Sequence, residues 1–175
     1  MTTTNAIKIL VIAASNGENL KLAERFALET HRQGARAMVL DLTSIDLPLF
    51  TPRIQDQGKP AALASLQQQL MAVPRWVICA PEYNGSIPPV LTNAIAWLSV
   101  QGEDFRKLFN GRPIAMASFS GGGGSELLTS LRIQLTHLGA QVVGRQLLAN
   151  YSKLAKDESI TDLLQRLLQM EPLRL

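Results

Sequence analysis

Three short segments carry residue types suited to holding a ligand. Each follows an apolar run and precedes a helical period. The first is Ala14-Ser15-Asn16-Gly17-Glu18-Asn19. It joins small polar side chains and a glycine to a helix start, where orphan N–H groups and the helix dipole converge on an anion. Simple capping by Ser15 or Asn19 is the plainer use of the same residues. Glu18 works against an anion. A carboxylate about 6 Å from a phosphate charge costs roughly 0.7 kcal/mol in water and about 3 at an effective dielectric near 20. The lower figure applies if Glu18 faces solvent.

The second segment, Pro81-Glu82-Tyr83-Asn84-Gly85-Ser86-Ile87-Pro88, is bracketed by prolines that restrict its backbone. Gly85 permits positive φ and close approach of a ligand. Backbone N–H groups of such a fixed loop can read the polar edge of a flat heterocycle. An ordinary Asn-Gly turn is the alternative, with Glu82 and Tyr83 as plain surface residues. The third, Ser118-Phe119-Ser120-Gly121-Gly122-Gly123-Gly124-Ser125, lets bare backbone lie against a ligand. It lacks GxGxxG spacing and follows the fourth apolar run, so it is not a dinucleotide fingerprint.

Composition narrows the chemistry. The 175 residues are 46% hydrophobic and 18% charged, a globular balance that suits one domain over 1–175. Lys and Arg total 17 against 14 Asp and Glu, a net +3, and the basic residues form no run. That speaks against nucleic acid or a membrane surface as partner. The single cysteine, Cys79, excludes an internal disulfide and a cysteine-based zinc site, and no metal site is expected. HExxH, GxxxxGK[ST] and GxSxG motifs do not occur. The apolar run Ile9–Ala14 is too short to span a bilayer or act as a signal peptide, so the expected location is cytoplasmic.

The elements that must position the three segments follow from periodicity. Apolar runs at 7–13, 36–41, 75–80, 113–118 and 141–147 read as strands. Helical spacing marks 20–33, Leu63 to Leu70, Leu91 to Leu98, Leu127 to Leu138, and Ile160 to Leu168. A long loop runs from Asp41 to Pro60. Nearly all-apolar strands alternating with helices predict an α/β domain: a three-layer, doubly wound, five-stranded parallel sheet. Five strands fit the flavodoxin-like order 2-1-3-4-5, whose ligands bind outside the carboxyl ends at the switch point between strands 1 and 3. The three segments all fall at that end.

The stretch Pro81-Glu82-Tyr83-Asn84-Gly85-Ser86-Ile87-Pro88-Pro89-Val90-Leu91-Thr92-Asn93-Ala94-Ile95-Ala96-Trp97 resembles the most specific motif of the NADPH-dependent FMN reductase family. The first segment with Asn19-Leu20-Lys21-Leu22-Ala23, and residues 118–139, fall where that family has its other signatures. The resemblance covers essentially the whole chain. It implies a flavodoxin-like enzyme with FMN as cofactor and NADPH or NADH as co-substrate. The chain would then pass electrons by a ping-pong mechanism to a small acceptor: a quinone, azo compound, metal oxyanion or free flavin. It further implies a homodimer or homotetramer. Ser15, Asn16 and Asn19 would meet the FMN phosphate. Pro81, Glu82, Tyr83, Asn84 and Gly85 would lie along the ring. Ser118, Ser120, Gly121 and Gly122 would border its other polar edge.

The chain departs from the family pattern in places. The first loop is about two residues shorter and lacks the usual arginine, and Gly17 stands where a second serine would be. Thr92 and Ala96 replace a lysine and an aspartate. No side chain need act as acid or base, so none is named catalytic. Cys79 reads as a buried small hydrophobe, His31 and His137 as helix-end residues, and Trp97 as core or dimer contact. Tyr83 is the stacking candidate. Arg53 reads as a surface arginine rather than a ligand for a nucleotide 2′-phosphate. A one-electron flavodoxin-type carrier is the competing function, disfavoured by the basic balance. A flavodoxin-like module that has lost FMN is another.

Overall fold

Strands and helices alternate along the chain in the computed structural model, which describes residues 8–175. They are β1 (Ile9–Ala13), α1 (Glu18–Arg32), β2 (Ala37–Asp41), α2 (Pro52–Gln55), α3 (Ala61–Ala72) and β3 (Arg75–Cys79). Then follow α4 (Pro89–Ser99), β4 (Pro113–Phe119), α5 (Ser125–His137), β5 (Gln141–Val142), β6 (Leu147–Ala149) and α6 (Asp157–Gln169). Ile7 of the expected first strand lies outside the described residues.

All pairings between strands are parallel, in the expected order β2-β1-β3-β4-β5. Ile9 sits opposite both Ala37 and Arg75, and Trp76 opposite Ile114. Every residue of β1, β3 and β4 is buried, as strands covered on both faces require. Alternation sends Leu10, Ile12, Ile78, Ile114 and Met116 to one side, under α3, α4 and α5. Ile9, Val11, Val77, Ala115 and Ala117 face the other side, under α1 and α6. Burying each large aliphatic side chain contributes about 1.5–3 kcal/mol, so the sheet is a rigid platform for its loops.

One expected element is divided. The fifth strand breaks into β5, paired with Pro113 and Ile114, and a separate β6, paired with Ala117 to Phe119. Between them Arg132 of α5 donates to the Val143 carbonyl at 3.0 Å and to Gln146 Oε1 at 3.1 Å. That guanidinium takes a carbonyl the ladder would otherwise use. The long loop after β2 also holds structure: a 3-10 turn at Leu42–Ser44 and the short α2. Asn93 accepts from Phe50 N at 2.7 Å and donates to the Pro48 carbonyl at 3.1 Å. Trp97 Nε1 donates to the same carbonyl at 2.7 Å, and Trp97 is fully buried with Phe50 edge-on at 5.1 Å. Trp97 is therefore a core anchor for this loop.

Candidate functional site

Because β1, β3 and β4 are adjacent and parallel, the loops after them leave the sheet side by side. The ladders first run one residue further. Ala14 N donates to the Cys79 carbonyl at 2.9 Å, Ala80 N to Ala117 at 3.1 Å, and Ser120 N to Ala149 at 3.0 Å. Neighbouring strands lie about 4.8 Å apart, so the three loops share one edge roughly 10 Å wide.

The first loop ends in Gly17, the N-cap of α1, which makes no side-chain cap. The plainer capping role for Ser15 or Asn19 is thus not taken. Among the described residues, the backbone N–H groups of Ser15, Asn16, Gly17, Glu18 and Asn19 have no acceptor. Ser15 is half-buried and Asn16 exposed. The helix behind them is 15 residues long, enough for a full terminal dipole. Glu18 turns to Lys21, with Nζ to Oε1 at 2.7 Å. The hydrogen bond and charge of Glu18, and then Tyr151, hold the Lys21 ammonium above the usual lysine range. The carboxylate that opposed an anion therefore has its own counter-ion.

Asn19 is placed differently from Ser15 and Asn16. It is 2% exposed, and its side chain bonds both polar groups of the Phe119 peptide, at 2.9 Å each. It pins α1 to the end of β4. Phe119 in turn meets Tyr151 edge-on at 5.0 Å. Tyr151 is 76% exposed, and nothing in the sequence periodicity flags it.

In the second loop Tyr83 and Ser86 exchange backbone hydrogen bonds of 3.1 and 3.0 Å. Asn84 at φ 52° and Gly85 at φ 68° close this miniature hairpin in left-handed conformation, the geometry that Asn-Gly sequences favour. Nothing lies within 4 Å of a Cβ built on Gly85, so the turn rather than protein crowding asks for glycine here. Tyr83 is half-exposed, whereas Pro81 is buried at the loop's root.

Glu82 joins the second loop to the third. Its N–H donates to Ser120 Oγ at 2.6 Å, and its carboxylate accepts from Leu127 N in the first turn of α5 at 3.2 Å. The Ser118 and Ser120 hydroxyls, both buried, lie 2.9 Å apart. Ser118, Ser120, Glu82 and Asn19 thus have protein partners and form the frame. Gly121 and Gly122 are exposed, with open space around Gly121, and present backbone to solvent. Gly124, at φ 79°, starts α5; a Cβ there would meet Ser118 Oγ at 2.5 Å.

The other candidates sit apart. Cys79 is fully buried, and burial pushes its thiol far up, away from thiolate chemistry. His31 and His137 are exposed in the last turns of α1 and α5. Arg53 is exposed on α2. Among the described residues no helix is long and apolar enough to cross a membrane.

The sequence profile of the NADPH-dependent FMN reductases matches residues 7–153. The chain is 35% identical over 103 residues to a quinone reductase of Escherichia coli K12, covering 57% of this chain and 53% of that protein. It is 31% identical over 118 residues to an NAD(P)H-dependent FMN reductase of Pseudomonas aeruginosa, covering 66% and 61%. The match thus spans little more than half the length of these curated relatives. Among solved structures, FerB of Paracoccus denitrificans, a flavoenzyme NAD(P)H:acceptor oxidoreductase, superposes with TM-score 0.75 at 18% identity over 94% of this chain and 97% of that one. An archaeal flavodoxin superposes with TM-score 0.61 at 11% identity over 94% and 96%. The last two likenesses are of fold.

Proposed function

The chain belongs to the NADPH-dependent FMN reductase family, and on that premise we propose that it binds FMN at the carboxyl edge of its sheet. It works there as an NAD(P)H oxidoreductase on small acceptors: quinones, azo compounds, metal oxyanions or free flavin. One observation carries this reading. Five successive N–H groups, Ser15 to Asn19, lie without acceptors at the start of a long helix. Such a cradle suits a phosphate monoester. The Ser15 hydroxyl and Asn16 amide add donors, and Lys21 offsets Glu18.

The remaining residues fit a flat ring. Tyr83, Asn84 and Gly85 supply a rigid hairpin along one edge, with Tyr83 as an aromatic surface. Gly121 and Gly122 bring bare main chain to the other edge. Pro81, Glu82, Ser118, Ser120 and Asn19 serve by fixing these loops relative to each other. FMN, when bound, would supply the redox chemistry between NAD(P)H and the acceptor. The protein's task is to orient ring and co-substrate and to direct main-chain dipoles at the ring's polar edge. No side chain is assigned a proton-transfer step.

Donor and acceptor use one crevice in turn, so initial-rate plots should show the parallel lines of ping-pong kinetics. The whole chain, residues 1–175, is read as one FMN-binding domain that acts in the cytoplasm as a homodimer or homotetramer. Light scattering on the purified protein tests its size. The decisive experiment is the visible spectrum. A yellow protein with flavin bands that NADH or NADPH bleaches supports the reductase. Flavin bands indifferent to both coenzymes support a carrier. A colourless protein that refuses added FMN removes the reading.

A further inference from the structure

We infer that Glu126 makes this chain select NADH over NADPH, by accepting the ribose hydroxyls of the coenzyme's adenosine half and repelling a 2′-phosphate. The inference rests on the proposed function. In that reading the FMN phosphate end lies toward α1 and the ring lies against the second and third loops. A coenzyme stacked on the ring then leaves the crevice at its other end, over Gly85 and the first turns of α5.

A shallow pocket of about 410 Å³ lies there, lined by Gly85, Ser125, Glu126, Thr129 and Ser130. Ser125 and Thr129, and Glu126 and Ser130, are i,i+4 pairs on neighbouring rows of the helix, so three hydroxyls flank one carboxylate. No cation lines the pocket. The Ser125 hydroxyl donates to Glu126 Oε2 at 2.8 Å, and the Thr129 hydroxyl donates to the Ser125 carbonyl at 2.9 Å. The hydrogen bond from the Ser125 hydroxyl keeps the Glu126 carboxyl below the usual range, so it is ionised at neutral pH.

The start of α5 would ordinarily favour an anion. Here the Glu82 carboxylate already takes Leu127 N, and the Glu126 carboxylate stands in the same first turn. A phosphate, carrying about −1.5 to −2 at neutral pH, would meet negative charge and no arginine. A vicinal diol meets the opposite: a carboxylate whose oxygens accept O–H groups, with the Ser130 hydroxyl beside it on the pocket wall. Carboxylate recognition of a ribose diol is a general solution for NAD-type coenzymes.

Two measurements test this on the FMN-loaded protein. The first compares kcat/KM for NADH and NADPH in wild type, Glu126→Gln and Glu126→Arg. Wild type should favour NADH by about tenfold or more. Glu126→Gln should reduce that ratio several-fold, chiefly through KM, and Glu126→Arg should bring it to unity or reverse it. The second is calorimetric binding of ADP-ribose and its 2′-phosphate, which reads selectivity without turnover. FMN content of each variant should match wild type, since Glu126 is exposed. Equal use of both coenzymes by wild type, or an unchanged ratio in both variants, overturns the inference while leaving the reductase reading intact. A protein that takes up no FMN defeats that reading, and there the calorimetry alone still decides this one.

Discussion

The side-chain amide of Asn19 closes a pair of 2.9 Å hydrogen bonds with the Phe119 peptide, donating to its carbonyl and accepting from its N–H. The side chain stands in for a neighbouring strand where β4 ends. It fixes the first loop to the third across a sequence gap of 100 residues. Asn19→Ala would leave a buried N–H and a buried carbonyl without partners. Each such group costs about 1–3 kcal/mol, so a loss of about 2–6 kcal/mol in unfolding free energy is expected. Urea denaturation measures it. A change below about 0.5 kcal/mol would show that water replaces the amide.

Lys21 tests the first loop without disturbing the frame. It is exposed and bonded to Glu18. Lys21→Gln should leave stability nearly unchanged and unmask the Glu18 charge. FMN affinity should then fall by about three- to tenfold at low salt, and less at high salt because exposed charges are screened. Flavin fluorescence titrations at two ionic strengths give the result. Unaltered affinity would place the phosphate away from α1.

Two glycines of the third loop should behave oppositely. Gly124→Ala puts a Cβ at 2.5 Å from the buried Ser118 Oγ, at φ 79°. Left-handed strain and overpacking together cost about 2–4 kcal/mol. Gly121→Ala meets nothing within 4 Å. It should keep full stability and weaken FMN binding instead, because the proposed ring edge approaches that backbone. Thermal melts alongside flavin titration separate the two effects. Equal melting temperatures for both variants would refute the account of Gly124.

Acid should loosen the contact between α1 and α6. Arg25 hydrogen-bonds Asp157 at 2.7 Å, and that bond, then its charge, hold the Asp157 carboxyl below the usual aspartate range. The folded pKa is thus lower than the unfolded one, so the unfolded chain binds the proton more readily. The contribution is present above the unfolded value near 4 and fades as pH falls through the folded value. Asp157→Asn should therefore lower the urea midpoint slightly at about pH 6 and leave it unchanged at about pH 3. Both partners are solvent-exposed, so the effect is small. An equal loss at both pH values would point to packing instead.

Local patterning alone specifies the architecture. Runs such as Leu10-Val11-Ile12 and Trp76-Val77-Ile78 can be buried only between two helical layers, and the helical spacing of Leu127, Leu128, Leu131 and Leu135 supplies one. What periodicity could not reveal is where one carbonyl goes. Arg132 takes the carbonyl of Val143, and a strand that reads as continuous is cut in two.

The same division runs through the candidate site. Residue type and order alone determined the three loops, their shared edge, and the glycines that a hairpin and a helix start demand. Tertiary structure decided which side chains face outward. Asn19, Glu82, Ser118 and Ser120 turn inward because the loop peptides of Phe119 and Glu82 and the first turn of α5 need partners once water is excluded. Ser15, Asn16, Tyr83 and Gly121 stay available. Glu126 came into view only when α5 met the Gly85 hairpin, because that juxtaposition links residues distant in sequence, and sequence spacing carries no record of such contacts.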